Sequence, residues 1–151
     1  MIDMSFDFTP FDELLRGHTG TPEEARADAT AEAESLHARW HRGQALFEER
    51  DYRGAAIVLS ALVADLEALQ GPEVESRVSH GLADVRLLLA RAYYHSAQLD
   101  HAIVAAEQVL AESPDDAYAH LLIGRALQRS GRGEQADGHL KLAELLGDYT
   151  L

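Results

Sequence analysis

The residue types that could do chemistry in this chain are histidines, acids and one short glycine-rich turn. His37 and His41 stand four residues apart, which on a helix places them on one face, with Glu34 a turn earlier. That is the spacing of a metal-chelating pair, but two imidazoles without a second carboxylate at fixed spacing make a weak site, and the pair reads as solvated or groove-lining. His80, His95, His101, His120 and His139 show no ligand spacing to one another. Gly131-Arg132-Gly133 has the composition of a phosphate loop without its context, because no strand precedes it and it joins two helices. The chain has no cysteine, hence no thiolate zinc site, no disulfide framework and no thiol nucleophile, and its redox compartment stays open. Neither a nucleophile elbow nor a His-Glu-x-x-His motif occurs. The expectation is a protein that is not an enzyme, with no catalytic residue, no metal and no cofactor.

Composition narrows the partners. Lys and Arg number 13 against 26 Asp and Glu, a formal net charge of −13 over 151 residues. Nucleic acid and anionic membrane both require a cationic face, so neither is expected, whereas protein or peptide partners remain open. The start Met-Ile-Asp-Met-Ser-Phe-Asp is acidic and lacks the basic head and continuous apolar run of a signal peptide. No stretch approaches the roughly 18 apolar residues of a membrane span. Cytoplasmic location is the default expectation.

The elements that must position any binding residues are helices in pairs. Between Ala83 and Leu146 one helix-turn-helix pattern occurs twice. Leu89, Ala90, Tyr93, Ala102 and Val109 recur 34 residues later as Ile123, Gly124, Leu127, Ala136 and Ala143, with Pro114 closing the first copy and Gly131 and Leu140 falling in the second, so Ala102 to Ala136 sets a period of 34 residues. Small residues at Ala90 and Gly124, and at Ala102 and Ala136, suit antiparallel helices that cross closely, while Gly131 suits a left-handed turn. This pattern resembles the tetratricopeptide repeat. The resemblance implies an all-α helical-repeat solenoid of αα-hairpins wound as a right-handed superhelix, and a protein-binding role.

An earlier repeat reads in the same register through Gly43, Leu46, Tyr52, Ala55, Leu59 and Leu62. The repeats then cover about 36–70, 83–116 and 117–147, within a single domain over 21–147 that opens on a helix cap at Thr21 followed by Pro22. Residues 148–151 form a short C-terminal tail. Ala55 to Ala102 spans 47 residues, 13 more than the period, and apolar spacing continues through the excess on both sides of Gly71-Pro72. The pattern predicts a hairpin lengthened by about two turns in each helix. No polar capping helix follows the last repeat, so its outer side must meet water, another subunit in a homodimer, or the N-terminal tail.

The resemblance also implies a concave groove lined by the first helix of each repeat. Its positions fall on His37, Trp40, His41, Gln44, Phe47 and Glu48, then Asp84, Leu87, Leu88, Arg91, Tyr94 and His95, then Tyr118, Leu121, Leu122, Arg125, Gln128 and Arg129. Leu88 and Leu122 are expected in the core. The remainder mixes aromatic and aliphatic area with three arginines, which suits an extended ligand carrying aromatic and acidic side chains. Repeats that bind chaperone C-termini use a Lys, Asn and Arg clamp. The matching positions here read Trp40 and Gln44, Leu88, and Tyr118 and Leu122, so that clamp is absent.

Residues 1–20 have a different texture. Ile2, Met4, Phe6 and Phe8 alternate with polar residues, and Phe11, Leu14 and Leu15 share one face of a short helical turn. Phe6, Phe8, Phe11 and Leu14, set among acids, match the groove and are expected to fill it, in the same chain or a neighbouring one. Burying four large side chains contributes roughly 1.5–3 kcal/mol each, against roughly 1–2 kcal/mol for ordering each of about seven residues. The balance is near zero, so a stronger ligand would displace the tail. The sequence thus points to a non-catalytic scaffold or adaptor binding a peptide segment or helix, with a small acidic chaperone for secretion or assembly substrates as the alternative.

Overall fold

The computed structural model describes residues 23–69 and 75–147, and within them the side chains of 36–69 and 81–147. Six helices account for these residues, with no strand among them: α1 Glu23–Glu48, α2 Tyr52–Ala68, α3 Glu75–His95, α4 Leu99–Glu112, α5 Ala117–Arg129 and α6 Gly133–Gly147. Each helix packs on the one that follows it. The predicted cap at Thr21, the Gly71-Pro72 turn, the first 20 residues and 148–151 lie outside the described residues.

Three hairpins, α1–α2, α3–α4 and α5–α6, close through the same turn. The first helix of each ends on a residue with positive φ: Arg50 at 63°, Ala97 at 62° and Gly131 at 79°. In each turn that residue's N–H returns to a carboxy-terminal carbonyl, and the next N–H reaches one residue further back: Asp51 to Leu46 at 2.9 Å, Gln98 to Tyr93 at 2.8 Å and Arg132 to Leu127 at 2.8 Å. This double bond satisfies carbonyls that the helix end would otherwise leave orphaned. Only Gly131 takes the left-handed conformation without steric cost. Ala97→Gly is therefore expected to stabilise the fold by about 0.5–1 kcal/mol in urea unfolding, the relief of strain exceeding glycine's entropic cost. A loss of stability would show that the Ala97 turn is unstrained.

Side-chain volume is matched hairpin by hairpin. A Cβ added to Gly43 would stand 2.6 Å from a Leu59 methyl, and one added to Gly124 would stand 2.5 Å from a Leu140 methyl. In the middle hairpin the same two positions carry Ala90 and Ala106, both fully buried. A glycine faces a leucine twice and an alanine faces an alanine once, so the helices cross closely by either route.

A polar position recurs beside this seam. Arg39 on α1 pairs with Asp65 on α2. At the matching register Arg86 on α3, 7% exposed, pairs with Glu112 on α4 at 2.8 Å and also with Glu67 on α2 at 2.7 Å. Burial opposes the charge on Arg86, and the two glutamates outweigh it, so its guanidinium titrates above the ordinary value. The third hairpin has His120 at this register and Leu146 where the acid would stand. His120, 6% exposed, turns to other partners: Nε2 lies 2.9 Å from the Pro114 carbonyl and Nδ1 lies 3.0 Å from Nδ1 of His139. A carbonyl only accepts, so Nε2 of His120 carries a proton, and in the neutral pair Nδ1 of His139 donates to Nδ1 of His120. Burial first, then the neighbouring His120, holds His139 below the usual imidazole range, with Glu107 opposing. The two histidines have no ligand spacing in sequence, and helix pairing brings them together although they stand 19 residues apart.

The core has two parts meeting at α3. Trp40, Leu59, Leu62, Leu66 and Val85 centre one, and Ala106, Val109, Ile123, Leu127 and Leu140 the other. The extra 13 residues are shared unequally rather than as two turns per helix. α3 has 21 residues against 13 in α5, whereas α2 has 17 against 14 in α4. Leu69 already has extended backbone just ahead of Gly71-Pro72, which halts α2, while nothing in 75–82 interrupts α3. At the far end α6 leaves Leu142, Leu145 and Leu146 exposed.

Candidate functional site

Which face is concave follows from helix contacts. Among the described residues α1 touches α3 and α3 touches α5, whereas no second helix of a hairpin touches that of the next. The first helices are thus drawn together and the second helices splayed, so α1, α3 and α5 line the inner face. The repeat register stacks matched residues across it in rows: Trp40, Leu87 and Leu121; Gln44, Arg91 and Arg125; Phe47, Tyr94 and Gln128; Glu48, His95 and Arg129.

Two members of the first row do not line the groove. Trp40 is 0% exposed and Leu87 5%, and Trp40 packs among Leu59, Val85 and Leu89. Trp40 and Leu87 are therefore core residues, contrary to the sequence expectation that they line the groove. The physical reason is the contact between successive first helices, whose seam these two side chains fill. Leu88 and Leu122 are buried, as expected, although Leu122 also lines a cavity.

That cavity, 270 Å³ in volume, lies between α3 and α5 and is bounded by Arg91, Tyr94 and His95 on one side and Tyr118, Leu121, Leu122 and Arg125 on the other. Toward α1 it continues into an aromatic cluster. His95 stacks on Tyr52 with centroids 4.7 Å apart and meets the Phe47 and Tyr94 rings edge-on. Arginines of one hairpin reach back over aromatics of the preceding hairpin. Arg91 lies 4.7 Å from the Phe47 centroid, and Arg129 lies 5.2 Å from that of Tyr94 while donating to the Tyr94 carbonyl at 2.8 Å. Arg125 is exposed and, among the described residues, approaches Gln128 at 3.4 Å. Neither Arg125 nor Arg129 meets a carboxylate among the described residues. Burial, then the charges of Arg91 and Arg129, holds His95 below its ordinary pKa, a sign of the positive potential at this spot.

His41 and Gln44 lie further along α1 and do not line the cavity. The His41 Nε2 stands 2.8 Å from that of His37, as their spacing requires on a helix. The described residues contain no group of three or more metal-ligating side chains. Tyr52 belongs to the repeat register but not to its groove positions, and it joins this aromatic cluster all the same. It sits at the start of a second helix, and only the turn at Arg50 swings it onto His95.

No family model matches the chain, and no curated protein matches it. A solved structure with a similar fold is the MamA R50E mutant, 20% identical, with a TM-score of 0.57 over 89% of this chain and 81% of that one. The likeness supports the same architecture, an all-α helical-repeat solenoid of the tetratricopeptide type. None of the described helices is long and apolar enough to cross a membrane.

Proposed function

We propose that this protein is a non-catalytic interaction module, a scaffold or adaptor that binds a peptide segment or helix of a protein partner along α1, α3 and α5. The observation that carries the reading is an open cavity bounded by Arg125, Tyr94 and His95, with Arg129 over the Tyr94 ring beside it, in a chain whose net charge is −13. Preformed cations steer an acidic segment to this face, and aromatic rings supply the buried contact that holds it. The rows of the inner face run across three hairpins, which suits an extended ligand better than a compact small molecule.

The test is co-precipitation from source-cell extract with native protein, with Arg125→Glu/Arg129→Glu, and with Lys141→Glu on the opposite helix as control. The inner-face variant is expected to weaken capture of a discrete partner at least about tenfold, roughly 1.4 kcal/mol, while the control retains it. Equal capture by all three, with unchanged helix content, would place binding elsewhere and overturn the reading.

A further inference from the structure

The inner face and the residues before α1 have opposite chemistry. Three of the chain's four phenylalanines are Phe6, Phe8 and Phe11, and the fourth, Phe47, stands on the inner face beneath Arg91. Residues 1–15 carry Asp3, Asp7, Asp12 and Glu13 and no Lys or Arg. A segment of aromatic rings spaced by carboxylates is the complement of Arg125, Arg129 and the Tyr94–His95 cluster, whose cations have no acid beside them among the described residues. Resting on the reading of this face as a peptide groove, we propose that its resident occupant is the chain's own N-terminal segment, residues 2–15, seated in cis until a partner displaces it.

Chain length permits the contact. α1 starts at Glu23 and brings Phe47 to the level of the cluster about 36 Å further on, at about 1.5 Å per residue. Running back along α1, the 12 residues from Glu23 to Phe11 span about 40 Å when extended, and Phe8 and Phe6 reach further. With one helical turn in the segment, Phe8 and Phe6 still come level with Tyr94 and His95. A shorter tail could not fold back so far, and a basic one would be repelled by Arg125 and Arg129. The carboxylates of Asp7 and Asp12 then neutralise these arginines while Phe6 and Phe8 cover Tyr94, Tyr118 and the cavity floor.

The absence of cysteine gives a clean probe, because Thr9→Cys supplies a single attachment point for a nitroxide on the full chain. Within one isotope-labelled, spin-labelled chain, amide signals of Tyr94, His95, Arg125 and Arg129 are expected to lose intensity selectively, independently of protein concentration. Leu142–Leu146 should keep theirs. Phe6→Ser/Phe8→Ser/Phe11→Ser in the same labelled chain is expected to restore the lost intensity. Loss seen only when a labelled native chain is mixed with an unlabelled spin-carrying chain would mean a second copy's tail and overturn the cis assignment. No selective loss in either sample would overturn occupancy altogether. Partner capture is measured separately, so an empty groove that still binds its partner removes this inference alone, and a seated tail without partner capture removes only the scaffold reading.

Discussion

Gly124→Ala is expected to lower the free energy of unfolding by roughly 1–3 kcal/mol, and Leu140→Ala by roughly 2–5 kcal/mol, whereas the double variant should cost clearly less than their sum. The single alanine drives a Cβ to within 2.6 Å of Leu140 Cγ, an atom too close to the backbone to swing aside freely. The single truncation empties a 6%-exposed site next to Ile123 and Leu127. Together the changes recreate the Ala90 and Ala106 pair that the middle hairpin already uses at this crossing. Urea unfolding of the four proteins closes a double-mutant cycle, and coupling of at least about 1 kcal/mol is expected for groups in direct contact. Additive effects would show that the Gly124 contact is relieved by helix displacement rather than by Leu140.

A second large effect is expected at the junction of the first two hairpins. Glu67→Gln/Glu112→Gln should destabilise the protein by about 2–3 kcal/mol, because it leaves the Arg86 guanidinium buried without an opposing charge. The full penalty for stranding a buried ion is larger, but both glutamates are themselves close to half exposed, and water relieves part of it. Removing the cation instead should be mild. Arg86→Met keeps the packing stem and eliminates an Nε that is buried with no hydrogen-bond partner, so its stability is expected within about 1 kcal/mol of the native chain. Thermal unfolding of both variants decides the matter. If Arg86→Met were the more damaging, the charge itself would be stabilising.

The same residues show how much of the fold was legible in sequence. The offsets of 34 and 47 residues placed the hairpins, the left-handed turn at Gly131 and the small residues at Gly43, Ala90 and Gly124, because helix crossings demand small side chains at fixed register. The recurrence of Arg39, Arg86 and His120 at one register was present in the chain but carried no signal, since a polar residue on a helix is usually solvated. Only the approach of the second helix buries it. The His120–His139 contact was hidden for the same reason: no local spacing marks a pair that forms across a hairpin.

For the candidate site the register placed Phe47, Tyr94, His95, Tyr118, Arg125 and Arg129 on the first helices, and of these Tyr94, His95, Tyr118 and Arg125 bound the cavity. The burial of Trp40 and Leu87 was not legible, because register alone cannot say how closely two first helices approach, and that distance decides whether a large apolar side chain lines a groove or fills a seam. By itself the sequence determined the periodic features, namely helix pairing, turn conformation and the opposite charge of tail and inner face, because these depend on residue identity at fixed offsets. The tertiary structure alone decided which face curves inward, where Arg86 and His120 find partners, and which inner-row residues remain open to a ligand. Those depend on distances between helices that no local pattern encodes.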